Sequence, residues 1–227
     1  MRKTTIKIDL HVHTKASEDS FINLKDAVKT AKSIGLDGLA ITDHNTIEDA
    51  VIAAKMKSGI IIIPGIEVSA KEGHILGIGI TEEIPRGLTA KETVEKIREL
   101  GGTSIVPHPF DFFRHGVGEK VVREINPDAI ESINSNSAFF YYAKRLSEKL
   151  AEEIQKPQTA GSDAHLLSSI GKAYTVIETS SRDVESILES IKMGRTKPVG
   201  KPTSIRTKIN RRLKLVLRRI KKGPTNT

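Results

Sequence analysis

Asp9-Leu10-His11-Val12-His13-Thr14 closes the first apolar stretch of the chain, Ile6 to His13, and its reading decides the fold. The stretch alternates as a buried strand does. Alternate side chains of a strand leave the same face, so His11 and His13 point one way, roughly 6.5 Å apart at the backbone. Two imidazoles converging from that base can share one metal ion. A lone His-x-His pair carries little information, because half-polar strands bear such pairs without any ligand. Its meaning depends on where the other histidines and carboxylates fall.

The chain has seven His. His11, His13, His44, His74, His108 and His165 sit at the ends of apolar runs or just after them. Carboxylates accompany three of them, in Asp9-Leu10-His11, Asp43-His44 and Asp163-Ala164-His165. A metal cluster at one rim of an α/β barrel needs this recurrence, because successive strands deliver their ends to a common mouth.

The segments between these ends alternate between strand and helix patterns. Asn23 caps a helix predicted to run to about Ile34, Gly35 stops it, and Leu36 to Thr42 is a short strand ending in Asp43-His44. Thr46 opens a helix to Lys57. Gly59 to Val68 is the strongest strand former, a continuous apolar run consistent with burial on both faces. Glu67 inside it needs a partner or an ion to offset its desolvation. His74 to Ile80 reads as the neighbouring strand, and Thr89-Ala90-Lys91-Glu92 is a capping box opening a helix to Leu100. Ser104 to Pro109 is a further strand with His108 at its rim, followed by a loop, Phe110 to Gly118, that holds Arg114 and His115. Asp128 to Asn134 is a strand, Ser137 to Ile154 a helix, and Gln158 leads through a strand to Asp163 and His165. Tyr174 to Ile177 and a helix from Arg182 to Met193 complete an α/β barrel in one domain.

The formal charge of +8 divides unevenly. From Arg195 onward there are 12 Lys or Arg and no Asp or Glu. The tail therefore meets something anionic, nucleic acid or a membrane surface, or is simply solvated. Within it, residues 197–207 read as a basic linker. Ile209, Leu213, Val216, Leu217 and Ile220 then fall at helical spacing, with Arg211, Arg212, Arg218 and Arg219 on the other side; such a helix docks on the body, the expected case, or lies on a membrane or grips phosphates. The expected organisation is a catalytic unit over residues 1–195, followed over 196–227 by the linker and a short amphipathic helix. The absence of Cys excludes thiolate ligands, disulfides and Cys nucleophiles. The chain opens directly on a strand and has no apolar run of membrane-span length, so a cytoplasmic protein is expected.

Taken in order, Asp9-Leu10-His11-Val12-His13-Thr14, Ile41-Thr42-Asp43-His44, Pro64-Gly65-Ile66-Glu67-Val68-Ser69, Gly73-His74-Ile75-Leu76-Gly77, His108-Pro109 and Gly161-Ser162-Asp163-Ala164-His165 resemble the PHP (polymerase and histidinol phosphatase) family over residues 4 to about 195. The resemblance implies a distorted (β/α)7 barrel with a trinuclear site that hydrolyses phosphoesters. It implies that His11, His13, Glu67 and Asp163 hold one ion, that Glu67 bridges to a second held by His74 and His108, and that Asp19, His44 and His165 hold a third. Glu18 is the alternative to Asp19. Asp43 would handle protons or support a ligand. Mixed imidazole and carboxylate donors suit two or three ions of Zn, Mn or Fe.

The reaction expected is in-line attack on phosphorus by a metal-activated hydroxide. Arg114 and His115 would contact substrate phosphate, His115 as a candidate proton donor, and Asn134 is a further candidate for substrate binding. The stand-alone members of the family point to nucleotides or short oligonucleotides as substrates, and the basic tail agrees. The alternatives are a histidinol-phosphate phosphatase and a non-catalytic nucleic-acid-binding subunit. The latter is disfavoured because every expected ligand position is filled.

Overall fold

The segment with the strongest strand propensity, rich in β-branched Ile, is strand β3 (Ile61–Ser69) of a computed structural model that describes residues 3–222. The other strands are β1 (Thr4–Val12), β2 (Gly38–Ile41), β4 (His74–Ile78), β5 (Thr103–Val106), β6 (Ala129–Asn134), β7 (Gln158–Gly161), β8 (Ala173–Thr179) and β9 (Thr196–Gly200). The helices are α1 (Leu24–Ser33), α2 (Glu48–Ala54), α3 (Ala90–Glu99), α4 (Gly118–Ile125), α5 (Phe140–Glu153), α6 (Val184–Lys192) and α7 (Ile205–Lys222). Residues 223–227 of the expected tail lie outside the described residues.

All nine strands form one sheet in the order β7-β6-β5-β4-β3-β2-β1-β8-β9. β1, β2 and β3 run parallel, as do β5, β6 and β7, while β4 is antiparallel to both of its neighbours. The sheet curls until its far ends meet: Ala160 N of β7 donates to Thr175 Oγ1 of β8, and Thr196 Oγ1 of β9 donates to Gln158 O of β7. The result is a nearly closed, barrel-shaped sheet with helices packed outside it. The expected alternation of strand and helix runs through β7, and β8 and β9 extend the sheet in antiparallel fashion.

Two differences from the sequence reading concern elements. Residues 196–200, expected as linker, form β9 against β8; strand pairing of Tyr174 with Val199 and of Val176 with Lys197 outweighs the Pro at 198 at this sheet edge. Gly118, expected as the end of a loop, and residues 119–125, which carried no assignment, form α4, burying Val122 and Ile125. The capping box is present: Thr89 Oγ1 accepts from Glu92 N at 3.2 Å and Thr89 N donates to Glu92 Oε2 at 2.7 Å.

The core lies in two layers. Inside the curl, Ile6, Ile8 and Leu10 of β1 pack with Ile63, Leu76, Ile78 and Ile105, and Ile187, Leu188 and Ile191 of α6 close that end. Between sheet and outer helices, Val12, Leu39, Ile41, Ile66 and Val68 pack with α1, α2 and α3. Strand β1 thus changes face along its length: Leu10 belongs to the inner layer and Val12 to the outer one. The pairing of β1 with β2 shifts between Asp9 and Val12, and this bulge is what turns odd-numbered residues inward at the end of the strand. His11 and His13 face the barrel mouth because of it. Among the described residues no helix is long and apolar enough to cross a membrane.

Candidate metal centre

Glu67 stands at the middle of the mouth. It is 1% exposed, and its carboxylate lies within reach of five imidazoles: Oε2 is 3.0 Å from His44 Nδ1, 3.2 Å from His13 Nε2 and 3.4 Å from His11 Nε2, while Oε1 is 2.9 Å from His74 Nδ1 and 3.1 Å from His108 Nε2. Strand β3 delivers Glu67, β1 delivers His11 and His13, β4 begins at His74, and His108 follows β5 directly. Asp163 and His165 follow β7. Asp163 Oδ1 lies 3.5 Å from His13 Nε2 and 3.3 Å from His165 Nδ1. Of the two adjacent acids, Asp19 faces the centre, with Oδ2 3.1 Å from His165 Nε2 and Oδ1 3.8 Å from His44 Nε2. The nine residues named from the sequence therefore converge in one cluster.

Two of them adopt backbone conformations that side-chain-bearing residues seldom take, His108 at φ 33° and Asp163 at φ 50°. Such strain persists where the surroundings over-determine it, and here both residues turn back toward the mouth.

Buried acceptors outside the cluster fix which nitrogen faces inward. His11 Nδ1 is 3.0 Å from Glu131 Oε1, and His13 Nδ1 is 3.2 Å from Ser17 Oγ, which donates to Asp43 Oδ1 at 2.6 Å. With a proton on each Nδ1, both Nε2 atoms present lone pairs to each other across 3.1 Å, a repulsive contact unless a cation or a shared proton lies between them. His165 Nδ1 donates to the Asp163 carbonyl, leaving Nε2 to face Asp19.

Electrostatics tells the same story. Burial opposes charge throughout, yet Arg114 and the histidines hold Asp163 well below the ordinary carboxylate range, and His74, His44 and His11 do the same for Glu67. In return, the carboxylates of Asp163 and Glu67 beside its Nε2 outweigh burial and raise His13 to about 9. Burial and the neighbouring His13 push His165 down to about 4. The buried Glu67 Oε2, Asp19 Oδ1 and His165 Nε2 have no hydrogen-bond partner. Orphaned acceptors facing one another, with imidazoles oriented through their outer nitrogens, fit divalent ions. Four sets of donor atoms lie close enough to hold one: His13, His44 and His165; His11, His13 and Asp163; His11, Glu67 and His108; His44, Glu67 and His74.

A cavity of about 860 Å³ opens over the cluster. Arg114 and His115 line it; Arg114 Nη1 is 3.3 Å from Asp163 Oδ2, and the His115 ring lies 5.1 Å from that of His74. One expectation takes a different form, and Asp43 takes the supporting one of its two expected roles. Asn134 does not line the cavity: its side chain is buried, donating from Nδ2 to Glu131 Oε2 at 2.8 Å and accepting at Oδ1 from Asn136 N, and Asn136 takes the place at the wall. Asp43 is also behind the wall. Its carboxylate accepts from Thr14 N, Thr14 Oγ1, Ser17 N and Ser17 Oγ, so it braces the loop behind His13 rather than facing a substrate.

Sequence reasoning missed Glu131, Ser17, Asn136, Lys208 and Arg211. Glu131 carried the same signal as Glu67, a carboxylate inside an apolar strand. Lys208 and Arg211 lie in the basic tail, but nothing local shows that α7 turns back to the mouth. Arg211 pairs with Asp19, and Lys208 Nζ donates to Ser137 O at 2.6 Å, both lining the cavity.

An α/β barrel whose mouth gathers six histidines and three carboxylates into one cluster is the class that fold and site define. The family model described as PHP-associated matches residues 142–196. An uncharacterized protein of Methanocaldococcus jannaschii, MJ1587, is 37% identical over 142 residues, which cover 57% of this chain and 82% of that one. A probable phosphatase of Proteus mirabilis is 26% identical over 207 residues, 75% of this chain and 83% of the relative. In fold, a two-domain protein from Bacteroides vulgatus containing a predicted PHP-like metal-dependent phosphoesterase superposes with a TM-score of 0.74 at 19% identity, over 88% of this chain and 66% of that one. The chain belongs to the PHP family.

Proposed function

We propose that this protein is a metal-dependent phosphoesterase acting on nucleotides or short oligonucleotides. The single observation that carries the reading is Glu67, a buried carboxylate with five imidazoles within 3.4 Å. An ionised carboxylate at that depth is destabilising by several kcal/mol on its own, and a set of bound cations removes that cost. His11, His13, Glu67 and Asp163 would hold one ion, Glu67 with His74 and His108 a second, and Asp19 with His44 and His165 a third. Divalent ions in this setting supply an acidified water and neutralise phosphoryl oxygens.

The chain's own residues do the rest. Glu131 and Ser17 hold His11 and His13 in the tautomers that aim Nε2 inward. Arg114, anchored by Asn136 O at 3.1 Å and by Asp163, presents its guanidinium to the cavity as a planar donor for phosphoryl oxygens. His115, exposed at the same wall, would give a proton to the departing oxygen. Lys208, Arg211 and Arg212 add positive charge to the rim. Crowding of cations around one cavity supports a substrate that brings phosphate charge and no cation of its own, and this favours nucleotides over histidinol phosphate, whose ammonium would meet like charge.

The test is phosphate release by metal-replete protein from a panel: an aryl phosphate, nucleoside mono- and bisphosphates, histidinol phosphate and a short 5′-phosphorylated oligonucleotide. Preferential turnover of the nucleotides or oligonucleotide is expected. Turnover of histidinol phosphate alone would replace the substrate assignment.

A further inference from the structure

Helix α7 meets the rest of the chain the wrong way round for an ordinary surface helix. Its partly buried positions are Thr207, Lys208, Arg211, Leu215 and Arg218, one stripe of the helix, and all its other positions with described side chains are exposed. The stripe docks through cations. Lys208 reaches Ser137 O, Arg211 pairs with Asp19, and Arg218 bonds the carbonyls of Glu18 and Ser20 while lying 3.8 Å above the Phe21 ring. At 100° per residue the opposite face carries Ile205, Ile209, Leu213, Val216, Leu217 and Ile220, exposed by 77, 54, 58, 54, 57 and 70%. A helix of a soluble domain turns such a stripe inward. Six large apolar side chains on one outward face form a patch, and patches of this kind mark an interaction surface.

The patch continues onto the body. Phe113 and Phe139, 79% and 66% exposed with ring centroids 6.1 Å apart, line the same cavity rim as Ile205 and Ile209. Charge selects the occupant. The exposed flanks of the stripe carry Arg206, Arg212, Lys214, Arg219 and Lys221, and α7 contains no acidic residue. A second copy packed helix to helix would bring two basic flanks together. A nucleic acid would satisfy the flanks and leave the apolar stripe in water. An anionic lipid surface satisfies both, apolar side chains entering the acyl boundary and cations meeting headgroup phosphates.

We propose that the outward face of α7, with Phe113 and Phe139, docks the protein on anionic bilayers. The full-length protein is sedimented with phosphatidylcholine vesicles with and without phosphatidylglycerol, in parallel with Leu213→Gln/Leu217→Gln and Arg219→Glu/Lys221→Glu variants. These positions are exposed and lie outside the cavity, so circular dichroism and metal content stay as in the parent. The expected result is sedimentation with the anionic vesicles alone, reduced at high salt and lowered by at least about tenfold in each variant. Failure to sediment with any vesicle overturns the proposal. So does a dimer in size-exclusion chromatography that Leu213→Gln/Leu217→Gln dissociates, which would assign the face to a second copy. Oligonucleotide binding lost in the charge variant, with no vesicle binding, would assign it to nucleic acid.

Discussion

His11 Nδ1 and Glu131 Oε1 lie 3.0 Å apart, both side chains fully withdrawn from water, on strands 120 residues apart in sequence. Glu131 also accepts from His108 N at 3.1 Å and from Asn134 Nδ2 at 2.8 Å, so one carboxylate orients two candidate ligands. Glu131→Gln keeps the shape but can present an N–H to His11 Nδ1, which turns the imidazole's proton toward the cluster. The expected outcome is a loss of about 10–100-fold in metal affinity or activity with little change in secondary structure. Metal titration by calorimetry checks it, and wild-type affinity in the variant would remove Glu131 from the account.

Asp9 is a second buried carboxylate with a different task. It accepts from Ser162 N at 2.8 Å and Gly171 N at 2.9 Å, tying β1 to the segments after β7, and burial pushes its pKa up to about 6. Asp9→Ala leaves two buried N–H groups without acceptors, for a predicted cost of about 3 kcal/mol. Thermal unfolding should show a fall in Tm of about 6–12 °C. A shift under about 2 °C would mean that water replaces the carboxylate.

Metal uptake should carry a proton signature. The neighbouring carboxylates of Asp163 and Glu67 raise His13 to about 9 against its burial, so near neutral pH its ring holds a second proton that an incoming ion must displace. Because the protonated form dominates below that value, apparent affinity should rise with pH by about tenfold per unit for each proton displaced, levelling near pH 9. Calorimetry in buffers of different ionisation enthalpy reads the proton count directly. Affinity that does not change between about pH 6 and 8 would contradict it.

Arg114 faces the cavity while its Nε and Nη1 are anchored on Asn136 O and Asp163. Arg114→Ala should lower kcat/KM on a phosphoester by about 10–100-fold, with ion stoichiometry retained. Arg114→Lys keeps the charge and loses the fork, so it should recover only part of the loss. Unchanged kinetics in Arg114→Ala would take the guanidinium out of substrate binding.

Much of the barrel was readable because β1, β2, β5 and β7 announce their ends with chemically distinctive residues: His11 and His13, His44, His108, Asp163. The isoleucine run of β3 with Glu67 inside it was legible as a conflict that only a cluster resolves. What stayed hidden depends on contacts across the chain. The phase change at Asp9–Val12 is a property of pairing with β2, β9 needs its partner Tyr174–Ile177 to be a strand at all, and Asn134 differs from Asn136 by its bonds to Glu131 Oε2 and Asn136 N, which hold it behind the wall. The amphipathic pattern of α7 was plain, but sequence alone cannot say that Lys208, Arg211 and Arg218, and not Leu213 and Leu217, face the body.

The most direct measurement is ion content and phosphate release on the same samples of wild type and Glu67→Gln, after chelation and after reconstitution with Mn or Zn. Wild type should bind two or three ions, turn over a nucleotide or 5′-phosphorylated oligonucleotide only when reconstituted, and lose both properties in Glu67→Gln. Reconstituted wild type that holds its ions yet releases no phosphate from any phosphoester, or Glu67→Gln that matches wild type in ions and turnover, would contradict it.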